Sequence, residues 1–119
     1  MAKKYLDRLI AIVHRTTAKT VRGGRLECKH FFSGAALYVN GTICASLTPA
    51  GFAIKLPEAS RAELLRTRRA RRLRYFAAGP IKKEYVALAR AIVANPAQLR
   101  RWLIASITYV AKPPAVGDR

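Results

Sequence analysis

The sequence predicts an α+β fold: an antiparallel sheet of about 4–6 strands, flanked by an N-terminal and a C-terminal helix, with a short helix near 58–68. Three observations predict it. An apolar stripe with helical spacing opens the chain, strands separated by tight-turn signals follow, and a capped apolar helix closes it. The hydrophobic content of 51% suits one core, and the length of 119 residues is too short for two domains. We therefore expect a single domain over 1–119, with 113–119 as a disordered tail.

Residues 3–19 have the spacing of an amphipathic helix. Its apolar residues share one stripe at i, i+3, i+4 and i+7: Leu6, Leu9, Ile10 and Val13. Its basic residues share another face: Lys4, Arg8, Arg15 and Lys19. We expect this helix to bury the apolar stripe, to expose the basic one and to end before Gly23-Gly24.

The segment from Leu26 to Leu56 is typical of three or four antiparallel strands. Asn40-Gly41 is the preferred pair for a type I′ turn, because both central residues need positive φ. The register that follows sets Val39 opposite Thr42, Tyr38 opposite Ile43 and Ala36 opposite Ala45. A second turn at 48–51 sets Leu47 opposite Phe52, Ala45 opposite Ile54 and Ile43 opposite Leu56. By the period of two, the interior face is predicted to hold Ala36, Tyr38, Ile43, Ala45, Leu47, Phe52, Ile54 and Leu56.

The second half of the chain begins with a helix near Glu58 or Ser60. Ser60 and Glu63 fit a capping box, in which each side chain bonds the other's backbone N–H. The run "RTRRARRLR" at 66–74 follows, either as a continuing basic helix or as a charged loop. Two further strands are predicted at 73–77 and 81–88, on either side of Gly79-Pro80.

The last helix has complete start and stop signals. Asn95 is a favourable N-cap, Pro96 suits the first helical position, and Gln98 can reach back from the third. Pro113-Pro114 ends the helix. Its buried stripe is predicted to be Leu99, Trp102, Leu103, Ile107 and Val110.

Residues suited to catalysis do not converge in this sequence, so we expect no enzyme, no cofactor and no metal. Cys28 and His30 lie two apart on a predicted strand, which leaves open an activated thiol or half of a metal site. The sequence does not contain the four paired-spacing ligands of a structural zinc site, a phosphate-binding glycine loop or a pair of catalytic carboxylates. Two cysteines make no disulfide framework, and we expect a cytoplasmic protein with free thiols.

Charge is the strongest functional signal. The formal net charge is +17, and residues 61–83 carry nine Lys and Arg against Glu63 alone, whereas residues 31–60 are neutral overall. Such a lopsided field favours a nucleic-acid partner, DNA over RNA. The predicted contact residues are Arg66, Arg68, Arg69, Arg71, Arg72, Arg74, Lys82 and Lys83. Tyr75 is open to stacking on a base, Phe76 is expected in the core, and 66–74 has too little apolar surface for a membrane helix.

Several motifs resemble a known family. "KHFFSGAALYVNGTICASLTPAGFAIKLPEASRAELL", "KKEYVAL" and "NPAQLRRWLIASITYVAKPP" are similar to the N-terminal domain of the TfoX/Sxy competence regulators, over about residues 5–114. The resemblance implies a sheet flanked by two helices and a regulatory role beside the cyclic-AMP receptor protein. It supplies no catalytic residues. The chain departs from the family in Ser33, which replaces a glycine, and in its arginine run.

Three hypotheses follow. The first is a non-enzymatic regulator that contacts nucleic acid through the arginine run. The second is a protein-interaction module that docks on a transcription factor or polymerase through the neutral sheet and its edge, without direct nucleic-acid binding. The third, an enzyme, depends on Cys28 and His30 alone.

Overall fold

The computed structural model describes residues 2–17, 25–75 and 78–111. The predictions for Lys19, Gly23-Gly24, Phe76 and the tail 113–119 lie outside these residues. The elements in chain order are α1 (Ala2–Thr17), β1 (Leu26–Phe31), β2 (Gly34–Val39), β3 (Thr42–Thr48), β4 (Gly51–Lys55), α2 (Glu58–Arg66), β5 (Ala70–Arg72), β6 (Tyr85–Leu88), α3 (Arg90–Val93) and α4 (Pro96–Ala111).

The six strands form one open antiparallel sheet in the order β1-β2-β3-β4-β6-β5. β6 therefore lies between β4 and β5, both of which precede it in the chain. Helices α1 and α4 bury Leu9, Leu103 and Ile107 against strand residues such as Leu37 and Ile54 in one core. The predicted α+β fold, with two terminal helices and a short helix near 58–68, is confirmed.

The buried face of α1 is rotated from the predicted stripe. Leu9, Ile12, Val13 and Thr16 are buried, at i, i+3, i+4 and i+7, whereas Ile10 is 47% exposed. A stripe centred on Leu9 excludes Ile10 because consecutive helical residues are about 100° apart. Thr16 enters the core because its hydroxyl donates to the Ile12 carbonyl at 2.7 Å.

The hairpin turn is confirmed, and a bulge displaces the register beyond it. Asn40 and Gly41 have φ of 51° and 86°, as a type I′ turn requires. The pairs of Val39 with Thr42 and Tyr38 with Ile43 form as predicted, but the register then shifts so that Leu37 pairs with Ala45. The predicted pair of Ala36 with Ala45 is therefore wrong by one residue.

The shift exchanges the faces of β2. Leu37 and Ala35 now share the helix-covered core with Ala45, whereas Ala36 pairs with Ser46 on the opposite face. Ile43, predicted to be interior, is half-buried beside Tyr38, outside the core. The pairs of Leu47 with Phe52 and Ala45 with Ile54 are confirmed, because they depend on the second turn.

Residues 73–75, which are not a strand, pack on the face of the sheet opposite α1 and α4. Leu73 packs on Ala53 and Ala87, and the hydroxyls of Tyr75 and Ser46 are 3.1 Å apart. The predicted strand at 73–77 is therefore wrong for 73–75, whereas 76 and 77 lie outside the described residues: Leu73 leaves the sheet edge to cover its face, and the strand lies earlier, at β5. The strand predicted at 81–88 is confirmed in its last four residues.

The arginine run is neither a continuous helix nor a loop throughout. Helix α2 ends at Arg66, a turn follows in which Arg68 has a φ of 59°, and β5 begins at Ala70. The predicted Ser60 cap is wrong, because α2 starts at Glu58 behind Pro57 with no side-chain cap. Positive φ at Arg68 lets the chain reverse within three residues and return to the sheet.

Helix α4 begins at the predicted residues, but the Gln98 side chain does not reach back: its Oε1 has no hydrogen-bond partner among the described residues, and the Asn95 N–H donates to the Ile92 carbonyl instead. The Gln98 N–H donates to Asn95 Oδ1 at 3.1 Å, and Pro96 is the first helical residue. Leu99, Trp102, Leu103 and Ile107 are buried, and Val110 packs partly against the core. The sequence analysis missed α3, whose four residues are too few for a periodic signal.

Candidate functional site

Five cations project from the β5 side of the sheet without a partner among the described residues. Their side chains are exposed and make no hydrogen bond or ion pair to any described residue. We call this group the basic edge: Arg66, Arg68, Arg72, Lys82 and Lys83. The end of α2, the turn after it, β5 and the approach to β6 each contribute, so the group comes from several elements of one side of the fold.

Three other predicted site residues are engaged within the protein. The Arg69 guanidinium donates to Glu63 Oε2 at 3.0 Å and to Thr67 Oγ1 at 2.9 Å, and it lies 5.9 Å from the centre of the Trp102 ring. Arg71 donates to the Ala50 carbonyl at 2.6 Å, and Arg74 donates to the Gly79 carbonyl at 3.1 Å. These contacts direct the three guanidinium groups to the protein itself.

Part of the basic edge lines a cleft of about 490 Å³ between α2 and β6. Arg72, Lys82 and Lys83 share it with Arg61 and with one carboxylate, Glu58. Arg61 donates to the carbonyls of Leu56 and Lys83, so it joins α2 to the chain that leads into β6. The cleft therefore collects four cations around one acid, which favours an anionic occupant.

A second basic cleft lies at the β3–β4 turn. It has a volume of about 570 Å³, and Arg8 from α1, Arg71 from β5 and Arg90 from α3 line it. No carboxylate is among its described lining residues. Sequence reasoning did not join these three arginines, since they are up to 82 positions apart and only the fold brings them together.

Burial disfavours the thiolate form of both cysteines. Burial raises the pKa of the half-buried Cys28, and it raises the pKa of the buried Cys44 to about 12, although a hydrogen bond with Ser106 opposes the latter shift. His30, predicted on the same side as Cys28, is exposed. Within the described ranges, no group of three or more His, Cys, Asp and Glu residues is placed to hold a metal ion.

We expect Cys44 to resist alkylation in the native protein. At pH 8 a thiol with a pKa of about 12 is ionised in about one molecule in ten thousand, and the thiolate is the reacting form. Iodoacetamide should modify Cys28 slowly and Cys44 only after denaturant is added, as read by mass spectrometry of the intact protein and its peptides. Native labelling of Cys44 at the rate of free cysteine would contradict its burial.

Sequence reasoning missed two further residues of this region. Arg61 was counted in the charge but not among the contacts, because its helical neighbours at i+3 and i+4 are Leu64 and Leu65 and give no sign of the cations that lie across the cleft. Phe32, 77% exposed, lies in the turn after β1 with a φ of 51°, and a bulky residue gives no sequence signal for that conformation.

Comparison with known proteins gives a family and no individual relative. No curated protein and no solved structure matches the chain. None of the described helices has the length and hydropathy that a membrane span requires. The family model of the TfoX N-terminal domain matches residues 19–109, which cover the whole sheet and most of α4 but not α1. Because this match covers roughly three quarters of the 119 residues, the chain belongs to the TfoX N-terminal domain family.

Proposed function

We propose that this protein is a non-enzymatic cytoplasmic regulator that associates with DNA through the basic edge. The observation that carries the proposal is that the side chains of Arg66, Arg68, Arg72, Lys82 and Lys83 are exposed and make no hydrogen bond or ion pair to a described residue. Cations without an internal partner keep their full attraction for an external anion.

A polyanion fits this surface better than a small anion does. The five cations are spread over α2, a turn, β5 and the approach to β6: three of them line the cleft beside α2, whereas Arg66 and Arg68 are not among its described lining residues. A row of phosphates can meet separated cations in turn, and each contact releases condensed counterions. The net charge of +17 adds a long-range attraction to the same partner.

The regulatory part of the proposal rests on family membership, and the non-enzymatic part on the state of the Cys28 thiol. Members of this family, by the resemblance described above, act in transcription control beside the cyclic-AMP receptor protein. The raised pKa of Cys28 opposes nucleophilic chemistry at the thiol that the enzyme hypothesis needed.

The test compares two variants of equal charge. In the first, four cations of the basic edge become glutamine: Arg66, Arg68, Arg72 and Lys82. In the control, four exposed cations elsewhere become glutamine: Lys4, Arg15, Arg25 and Arg100. Duplex DNA of arbitrary sequence is titrated by fluorescence anisotropy at several salt concentrations.

We expect the first variant to flatten the slope of log affinity against log salt by roughly two to four units, and the control by less than one. Unrelated sequences should weaken equally, because phosphate contacts carry no base information. Equal losses in both variants would show that charge alone attracts DNA and that the basic edge is no site. An unchanged slope in the first variant would refute the proposal.

A second candidate function is docking on a transcription factor, and the edge strand β1 favours it. Both faces of the central strands are buried: Ala36, Ser46 and Ala53 are 0% exposed on one face, and Leu37 on the other. Of the predicted sheet and its edge, this candidate therefore uses the edge, where among the described strands β1 pairs with β2 alone. A complex with a purified cyclic-AMP receptor protein that survives nuclease and the first variant would support this candidate.

A further inference from the structure

Phe32 is an exposed aromatic residue held in an unusual backbone conformation. It occupies the two-residue turn between β1 and β2, has a φ of 51°, and is 77% exposed. A bulky residue in the left-handed region is strained, and an exposed ring recovers little of that cost through burial. Exposing this ring to solvent in the left-handed conformation therefore lowers the free energy of unfolding of the protein.

Two neighbouring rings hold Phe32 in place. Its ring centre lies 4.4 Å from that of Phe31 and 5.6 Å from that of Tyr75, and the latter two are 5.7 Å apart. Tyr75 is fixed in turn by the contact of its hydroxyl with Ser46 on the sheet. The three rings form a preorganised aromatic platform.

The platform opens on a cleft that adjoins the basic edge. The cleft has a volume of about 610 Å³, within the range of small-ligand sites, and Phe32, Tyr75 and Pro80 make its wall largely apolar. Lys82 is the cation among its described lining residues, and Lys82 also lines the basic cleft beside α2. Lys82 therefore lies at the boundary between the aromatic cleft and the basic cleft and lines both of them.

We propose that this cleft binds an unpaired base of single-stranded DNA. The base stacks on Phe32, and Lys82 contacts the adjoining phosphate while the strand continues along the basic edge. Aromatic rings beside cations are what an unpaired strand needs, since every base has a stacking face and every linkage a phosphate. A duplex cannot use the cleft, because its bases are already stacked. The inference rests on the proposed association with DNA and adds a preference for unpaired strands.

The test uses a single-stranded oligonucleotide that contains 2-aminopurine and a duplex of the same sequence. Phe32→Leu removes the ring and retains an apolar side chain, whereas Phe32→Trp retains an aromatic ring. Ile10→Ala is the control, because Ile10 is an exposed apolar residue on α1, outside the residues that line the cleft. Thermal unfolding confirms that each variant is folded.

We expect Phe32→Leu to weaken single-strand binding about 5- to 150-fold, as the loss of one stacked base predicts, and to leave duplex binding within about twofold. The parent and Phe32→Trp should quench 2-aminopurine fluorescence on binding, and Phe32→Leu should not. The salt slope should be the same in all three, because no charge changes.

Different results would refute the base site and the proposed association with DNA. If the parent binds duplex with a salt dependence but Phe32→Leu leaves single-strand affinity unchanged, the association with DNA stands and the base site does not exist. Equal losses on single strand and duplex would likewise refute the base site. If the parent binds neither, both proposals fall. Loss of a protein complex in Phe32→Leu, with single-strand affinity intact, would assign the ring to a protein contact.

Discussion

Gly34→Ala is expected to lower stability by at least about 3 kcal/mol and to leave little folded protein at 37 °C. A Cβ on Gly34 would lie 2.2 Å from the Leu47 carbonyl oxygen and 2.8 Å from the Thr48 Cα. Both atoms belong to the backbone of β3, so no side-chain rotation relieves the overlap, and β2 must separate from β3 to admit one methyl group.

The matched control is Gly41→Ala. Gly41 has a φ of 86°, and a Cβ added there would meet nothing within 4 Å, so its replacement costs the left-handed backbone penalty of about 1–2 kcal/mol without a clash. Thermal unfolding by circular dichroism should show a midpoint about 10 °C or more lower for Gly34→Ala, and a smaller decrease for Gly41→Ala. Equal midpoints in the two variants would show that β2 and β3 are not in close contact at Gly34.

Leu37→Asp is expected to unfold the domain, whereas Ile43→Asp leaves it folded. Leu37 is 0% exposed beneath α1 and α4, and an unpaired carboxylate there has no partner and no water. Ile43 is half-buried beside Tyr38, outside that core, and a carboxylate there stays solvated.

This pair of variants tests the bulge directly, because regular alternation from the turn predicts the reverse outcome. Proton NMR distinguishes the two results: Ile43→Asp should keep dispersed amide and methyl signals, and Leu37→Asp should lose them. An unfolded Ile43→Asp beside a folded Leu37→Asp would restore the unbulged register.

Local chemistry made much of the fold predictable. Asn40-Gly41 and Asn95-Pro96 act through their own backbone dihedrals and hydrogen bonds, so the turn and the start of α4 follow from adjacent residues. The bulge does not follow from adjacent residues, because a residue distant in the sequence contacts it. Ser106 of α4, 62 positions away, donates to the Cys44 carbonyl at 3.0 Å. No pattern within β2 or β3 contains that contact.

The candidate site was predictable as a region and not as a set of side chains. In the sequence the arginines of 66–74 are equivalent, and their summed charge is read directly from the residues. Hydrogen-bond acceptors elsewhere in the fold distinguish the engaged arginines from the others. Glu63, one helical turn before the end of α2, accepts from Arg69, and the Ala50 and Gly79 carbonyls accept from Arg71 and Arg74. Backbone carbonyls have no signature in a sequence, so only the folded structure distinguishes the arginines that have an internal partner among the described residues from those that do not.

The insertion of β6 between β4 and β5 has a consequence for the order in which the sheet assembles. Strands β1 to β4 pair with sequence neighbours across short turns, so they can form early, at little loop-closure cost. Strand β5 can pair only after β6, which comes later in the chain, is in place. Three residues of β5 then pair with β6. Its three paired residues lie at the edge of the sheet, so we expect their hydrogen bonds to open early in local unfolding. A bound polyanion would neutralise the charge of this strand and stabilise it.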